Sequence, residues 1–151
     1  MKKVMLLYPP GKAYQRGEDR AQCNIEDSAT TTIRACNDLG YAASVLRNID
    51  REKYNVYTLG ITKDGRWLFY EGDIDSIENN SWIEKNTVSA IISPDKLEKS
   101  LLVFKGEKIE KIKIDIIFPV MHGKNGEDGT IQGIFEMADI AYVGCTPLAG
   151  A

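Results

Sequence analysis

Three stretches of the chain carry the apolar pattern of buried β-strands. The run Val4–Tyr8 is continuously apolar and stops at Pro9-Pro10-Gly11, while Tyr54–Ile61 is rich in aromatic and β-branched side chains. After its initial aspartate, Asp115–Val120 is also apolar throughout. The first and third runs lack polar alternation, which is typical of strands buried on both faces of a parallel sheet, and the second has the composition of a strand. We therefore predict a strand in each stretch.

Two other segments show helical spacing. Apolar residues recur at roughly every third or fourth position between residues 28 and 48 and again in Thr130–Ala138. The first segment predicts either one helix or a broken pair, and the second predicts a single helix with one apolar face. The apolar positions are Ile33, Cys36, Ala43 and Leu46 in the first segment and Ile131, Ile134, Phe135 and Ala138 in the second.

The remaining elements are short. Leu101–Ile114 reads as a hairpin that turns at residues 105–108, and its last strand alternates lysine with isoleucine. Together these elements predict an α/β fold: a Rossmann-like open sheet, mainly parallel, with helices on both faces and a β-hairpin insertion. Ligands of such sheets bind beyond the carboxyl ends of the strands. We also expect short strands at Arg66–Tyr70, Val88–Ser93 and Ala141–Gly144 and a helical turn within Asp75–Lys85.

Composition narrows the function classes. The chain has 151 residues, 43% of them hydrophobic, which suits one domain spanning residues 1–151. A net charge of -3 provides no broad basic face, so we expect neither nucleic acid nor a membrane as partner. The first apolar run is too short for a signal peptide or a membrane span. Cys23, Cys36 and Cys145 lack metal-ligand spacing and suit a reducing compartment, so we expect a cytoplasmic protein.

The most unusual chemistry lies in the loop HGKNGEDG, residues 122–129, which contains the only histidine of the chain. Because His122 follows a buried strand directly, we expect it at the crevice of the sheet. Glycines at 123, 126 and 129 permit backbone conformations that side chains forbid, and the helix after them offers free N–H groups to an anion. A small anionic ligand fits this pattern. The alternative is a structural loop, in which Glu127 and Asp128 only cap the helix and His122 bonds to backbone.

The run FPVMHGKNGEDGTIQGIFEMADIAYVGC resembles the N-terminal domain of the D-alanine:D-alanine ligases, and REKYNVYTLGITKDGRW, residues 51–67, resembles the second strand and turn of that domain. The resemblance covers about residues 48–151. It implies ATP-dependent ligation in peptidoglycan precursor synthesis for the cell wall: the carboxylate of one D-alanine is phosphorylated and a second D-amino acid attacks. The sequence of residues 72–114 resembles that of ligases that use D-serine or D-lactate as the second substrate.

The same resemblance implies roles for single residues. His122 would help to hold the first D-alanine, Gly123 would shape the site, and Glu127 would position neighbouring groups. In the family, a glutamate of a short acidic segment after the first strand binds the substrate ammonium; Glu26 lies in the acidic segment here, although the alignment places Asn24 at that position. No catalytic residue and no metal ligand is expected in this chain.

The resemblance also implies partners. ATP and magnesium would be bound by the ATP-grasp domains of the complete ligase, which residues 1–151 lack, so the chain alone would bind no cofactor and would not catalyse ligation. A homodimer is expected by the same resemblance. Residues 1–47 are atypical of the family, and residues 8–46 resemble the N-terminus of cobalamin-binding radical S-adenosylmethionine proteins. A cobalamin-binding module or a non-catalytic fusion fragment is therefore the alternative function.

Overall fold

The computed structural model describes residues 1–8, 39–121, 125–144 and 146–150, and in these ranges eight strands form one sheet. The strands are β1 (Lys2–Tyr8), β2 (Tyr54–Ile61), β3 (Trp67–Tyr70), β4 (Thr87–Ile92), β5 (Ser100–Lys105), β6 (Lys108–Lys113), β7 (Ile116–Pro119) and β8 (Ala141–Tyr142). The described helices are α1 (residues 39–48), α2 (Ile74–Glu78), α3 (Thr130–Met137) and α4 (Pro147–Gly150), with a 3-10 helix at Trp82–Glu84.

The sheet is mixed, with the strand order β6-β5-β4-β3-β2-β1-β7-β8. β1 pairs in parallel with β2 and β7, and β7 pairs in parallel with β8. The pairings β2–β3, β3–β4, β4–β5 and β5–β6 are antiparallel, so the prediction of a mainly parallel sheet was wrong in that respect. Two of these pairings have a local reason: only residues 62–66 separate β2 from β3, and only residues 106–107 separate β5 from β6. Connections this short can join antiparallel strands but not parallel ones.

Strand β1, which lies between β2 and β7, is buried on both faces, as its apolar run predicts. Met5 and Leu7 point into one core cluster, whereas Leu6 and Tyr8 point into the other. All four residues are at most 1% exposed. Burial of one large apolar side chain contributes roughly 1.5–3 kcal/mol, so this strand anchors both layers of the fold.

Helices cover both faces of the sheet, which confirms that part of the predicted architecture. α3 packs on one face, and α1, α2 and the 3-10 helix pack on the other. The α/β class is therefore confirmed, with a larger antiparallel share than predicted. The buried helical residues are Ile131, Phe135 and Ala138 on the first face and Leu39, Ala42, Leu46, Ile77 and Trp82 on the second.

The segment between β3 and β4 contains two short helices instead of one helical turn. Asp73 caps α2 by accepting a hydrogen bond from the Ser76 N–H at 2.7 Å. Asn80, with φ 64, lies between α2 and the 3-10 helix. A left-handed residue cannot continue a right-handed helix, so the helical segment predicted within residues 75–85 is divided at this point.

The other predicted elements are confirmed within the described ranges. The hairpin β5–β6 turns at Gly106, whose φ of 63 favours glycine. Residues 39–48 are helical, which confirms the last part of the predicted segment 28–48, while residues 28–38 lie outside the described residues. No helix in the described part of the chain is long and apolar enough to cross a membrane.

Candidate functional site

The glycine loop leaves the sheet at the carboxyl end of β7, between β1 and β8. The Val120 N–H donates to the Leu7 carbonyl at 2.7 Å, so the β1–β7 ladder continues one residue past the end of β7. Because β1, β2 and β7 are parallel, their carboxyl ends share one edge, where open α/β sheets bind ligands. Residues 122–124 lie outside the described residues, whereas residues 125–129 are described.

Two residues of the described half of the loop have left-handed backbones. Asn125 has φ 68, and Gly129, the N-cap of α3, has φ 85. An ideal Cβ atom at Gly129 would lie 3.0 Å from the carbonyl oxygen of Pro147. Glycine is therefore required at 129 both by its backbone angle and by the close approach of α4.

Asp128 closes the loop on itself and caps the helix. Its Oδ2 accepts from the Asn125 N–H at 2.9 Å, and its Oδ1 accepts from the Thr130 N–H at 3.1 Å. The bond from Asn125, followed by those from Thr130, holds the pKa of the Asp128 carboxyl below its ordinary value. Asp128 thus satisfies the N–H group of the first residue of α3, as in the structural-loop interpretation, although the N-cap itself is Gly129.

Gln132 supports the loop from beneath. It is only 8% exposed, and its Nε2 donates to the Gly126 carbonyl at 2.7 Å. Its Oε1 is buried and has no hydrogen-bond partner among the described residues. Leaving an amide oxygen unsatisfied costs about 1–3 kcal/mol, so an apolar residue at this position would give a more stable fold unless the hydrogen bond to the loop offsets that cost.

α3 fixes the loop relative to the sheet. Ile131 and Phe135 are buried in the core cluster on this face. The centroid of the Phe135 ring lies 5.2 Å from the centroid of the Tyr142 ring in β8. At the other end of the helix, Asp139 forms an ion pair with Lys99. The loop therefore lies between β7 and a helix whose apolar face is packed on the sheet.

A cavity of about 380 Å³ lies beside α3 on the same face of the sheet, with Ile134, Trp67 and Ile92 among its lining residues. The charged group on its wall, Arg66, donates from its Nε to Asp64 at 2.9 Å. Amino-acid headgroups need several converging polar partners, which these hydrocarbon walls do not supply. The glycine loop is the better candidate for an amino-acid site.

The predicted site residues are only partly described. Glu127 is exposed in the loop, between Gly126 and Asp128. His122, Gly123 and Glu26 lie outside the described residues, so their roles stay predictions. In the part of the chain that the structure describes, no group of three or more histidine, cysteine, aspartate or glutamate residues is placed to hold a metal ion.

Sequence reasoning missed Gln132. Its signal was present, because a glutamine stands between Ile131 and Phe135 on a helix whose apolar face includes both. A polar residue on an apolar face is a candidate for a buried hydrogen bond. The partner, Gly126, could not be identified from that pattern.

Residues 39–145 match the family described as D-ala D-ala ligase N-terminus. The match begins within residues 8–46, the segment that resembles radical S-adenosylmethionine proteins, and residues 9–38 of that segment lie outside the described residues. The resemblance to cobalamin proteins stays a prediction. The family match includes the whole glycine loop and α3.

Individual relatives agree with the family match. The chain is 44% identical over 110 residues to a D-alanine--D-alanine ligase of Caldicellulosiruptor bescii, which covers 73% of this chain and 30% of that protein. It is 43% identical over 104 residues to the vancomycin/teicoplanin A-type resistance protein VanA of Enterococcus faecium, covering 69% of this chain and 29% of that protein.

A solved structure shows the same fold. The VanG D-Ala:D-Ser ligase from Enterococcus faecalis superposes with a TM-score of 0.76 at 33% identity, covering 99% of this chain and 37% of that one. The chain therefore spans about a third of the length of the proteins that it matches.

Proposed function

This chain belongs to the family of D-Ala–D-Ala ligase N-terminal domains, and from that premise we propose that it contributes part of the D-alanine site of an ATP-dependent ligase for peptidoglycan precursors. One observation carries the proposal: the glycine loop stands at the shared carboxyl edge of β1, β2 and β7, immediately before the amino end of α3. A carboxylate is favoured at such an end by the helix dipole and its N–H groups.

The proposed roles of the loop residues follow from the resemblance of the loop to that of the ligase family. His122 donates to the D-alanine carboxylate, Glu127 positions neighbouring groups from its exposed place in the loop, and Gly123 lets the backbone approach the ligand. Glu26 binds the substrate ammonium. Asp128 is engaged with Asn125 and Thr130, which supports a capping role for it and leaves the substrate contacts to the other loop residues.

Activation of the carboxylate belongs to another part of the proposed ligase. ATP and magnesium are bound by ATP-grasp domains, and the second substrate is D-alanine, D-serine or D-lactate. We expect that addition of D-alanine to this chain alone does not stimulate the release of phosphate from ATP. The proposed setting is the cytoplasm, with the complete ligase as a homodimer.

Titration of the ¹⁵N-labelled chain with D-alanine tests the proposed site. We expect the amide signals of Gly126, Glu127 and Thr130 and the ring signals of His122 to shift with D-alanine. L-alanine, which has the same charges and the opposite configuration, is the ligand control. Equal shifts with both enantiomers, or none with D-alanine, would contradict a D-alanine site.

A pair of variants separates a loop effect from a general loss of charge. Glu127→Gln removes the carboxylate of the candidate site, and Glu107→Gln removes an exposed carboxylate in the β5–β6 turn at the far edge of the sheet. Only the first should weaken the response to D-alanine. If Glu107→Gln weakens it equally, the response reflects overall charge and the site lies elsewhere.

A further inference from the structure

A buried carboxamide lies directly behind the exposed part of the glycine loop. Gln132 is 8% exposed, and both ends of its amide need partners when they are removed from water. The Nε2 end has one, because it donates to the Gly126 carbonyl at 2.7 Å. The Oε1 end has none among the described residues, so the contact with Gly126 is the polar interaction that accounts for the side chain.

The position of Gln132 in the helix makes this contact unusual. Gln132 is the third residue of α3, and Gly129 is the N-cap. A glutamine at that place commonly accepts a hydrogen bond from the N-cap N–H and so closes a capping box. Here the side chain instead donates to a carbonyl three residues before the cap. It therefore holds the loop and not the end of the helix.

The carbonyl that it holds belongs to the peptide group between Gly126 and Glu127. Fixing that oxygen fixes the plane of the peptide and the direction in which the chain enters Glu127. On the other side of Glu127, the Asp128 carboxylate is tied to the Asn125 and Thr130 N–H groups. The exposed Glu127 thus lies between two groups held by hydrogen bonds, the Gly126 carbonyl on its buried side and the Asp128 carboxylate at the surface.

We propose that Gln132 is a positioning residue of the amino-acid site, whose buried carboxamide fixes the Gly126–Glu127 peptide and so holds Glu127 in its binding orientation. Gln132 acts through the loop and does not touch the amino acid. The inference rests on the proposed function, because it adds a residue to the same site. It also explains why a glutamine occupies the apolar face of α3.

Hydrogen exchange on the labelled 151-residue chain tests the loop contact. Gln132→Met keeps the length of the side chain and removes the donor. Thr58→Val is the matched control, since it removes a hydroxyl that donates to the Tyr70 carbonyl at 2.5 Å in the sheet. We expect protection of the Asn125 and Thr130 amides to fall about fivefold in the first variant, as for the loss of one hydrogen bond, and to stay unchanged in the second. Unchanged protection in Gln132→Met would overturn the proposal.

Gln132→Glu tests the hydrogen bond through its dependence on pH, which a change of packing alone would not produce. This variant also tests the proposal if Gln132→Met fails to fold. At about pH 8 the introduced carboxylate cannot donate to Gly126, so the loop amide signals should shift from their wild-type positions. At about pH 5 burial favours the protonated form, which donates again, and the signals should return towards those of the wild type at the same pH. Wild-type signals at about pH 8, or no recovery on acidification, would contradict the positioning role of Gln132.

Titration with D-alanine distinguishes the two proposals. We expect Gln132→Met to bind D-alanine at least about fivefold more weakly than the wild type and Thr58→Val to bind it equally well. Equal binding by Gln132→Met would leave the D-alanine site standing and reject the positioning role. If the wild type itself shows no response to D-alanine, the proposed function fails, while hydrogen exchange still decides whether Gln132 holds the loop.

Discussion

The indole ring of Trp82 fills the space beside the backbone of Gly60. An ideal Cβ atom at position 60 would lie 2.2 Å from Cη2 of Trp82, far inside contact distance. The ring is fully buried and meets the Tyr8 ring edge-on, with 5.0 Å between the ring centroids. The 3-10 helix can therefore cover β2 only because residue 60 has no side chain.

Gly60→Ala should destabilise the fold by about 1–3 kcal/mol, because the buried ring of Trp82 has to move to admit a methyl group. Urea unfolding followed by tryptophan fluorescence measures the change. Gly133→Ala is the control: it lies within α3 with nothing within 4 Å of its Cβ position, and it should stabilise the protein by roughly 0.5–1 kcal/mol. Changes of the same sign in both variants would contradict the clash.

Gly129→Ala should destabilise the fold by about 1–3 kcal/mol, since alanine must adopt a left-handed backbone and also approach Pro147. Gly106→Ala at the β5–β6 turn has a positive φ but open space around its Cβ position, so it carries the backbone cost alone. Thermal unfolding of the two variants separates these terms. A Gly129→Ala that is no less stable than Gly106→Ala would show that the contact with α4 is unimportant.

Asp73 should make the stability of the protein depend on pH in the acidic range. Hydrogen bonds from Ser76, and then the contact with Lys85, lower the pKa of the Asp73 carboxyl to about 2, against about 3.9 in an unfolded chain. The stabilisation is therefore present above about pH 4 and is lost as the pH falls through about 2. We expect the difference in Tm between the wild type and Asp73→Asn to be largest above about pH 4 and to shrink below it.

Ser76→Ala checks the cause of that dependence. The Ser76 hydroxyl donates to Asp73 at 2.6 Å and is the first contributor to the lowered pKa. Without it the pKa of Asp73 should rise towards its ordinary value, so the loss of Tm on acidification should become smaller and should be complete at higher pH. An acid profile identical to that of the wild type would assign the dependence to another carboxyl group.

Tyr8→Phe should leave the free energy of unfolding unchanged or raise it by up to about 1 kcal/mol, because the buried Tyr8 hydroxyl has no hydrogen-bond partner among the described residues. Tyr70→Phe is the matched change: it removes a hydroxyl that donates to the Asp73 carbonyl at 3.2 Å and should cost about 1 kcal/mol. Chemical unfolding of both variants measures the difference. Equal losses would mean that the two hydroxyls are equally well satisfied.

Alkaline titration gives a second check on Tyr8. Burial, and to a lesser degree the neighbouring Tyr70, raises the pKa of Tyr8 far above its ordinary value. Tyr8 should therefore stay protonated for as long as the protein is folded. The ultraviolet titration curve of the folded protein should be the same with and without Tyr8→Phe.

The helix after the glycine loop and several strands could be predicted because their signals are local. β1 is a continuous apolar run, β5–β6 has a glycine at its turn, and α3 repeats apolar residues at helical spacing. The loop itself was recognisable from its composition, and its motif led to the family. Each of these patterns depends on residues within about one element of one another.

Three features were decided only by tertiary structure. The antiparallel pairing of β3 with β4 depends on which distant strands become neighbours, the need for glycine at 60 depends on Trp82, and the hydrogen bond of Gln132 depends on Gly126. The sequence by itself determined the elements, the family and the loop, since periodicity and turn chemistry act over a few residues. Only the folded chain decided the contacts, because it brings together groups whose separation along the sequence leaves no periodic trace.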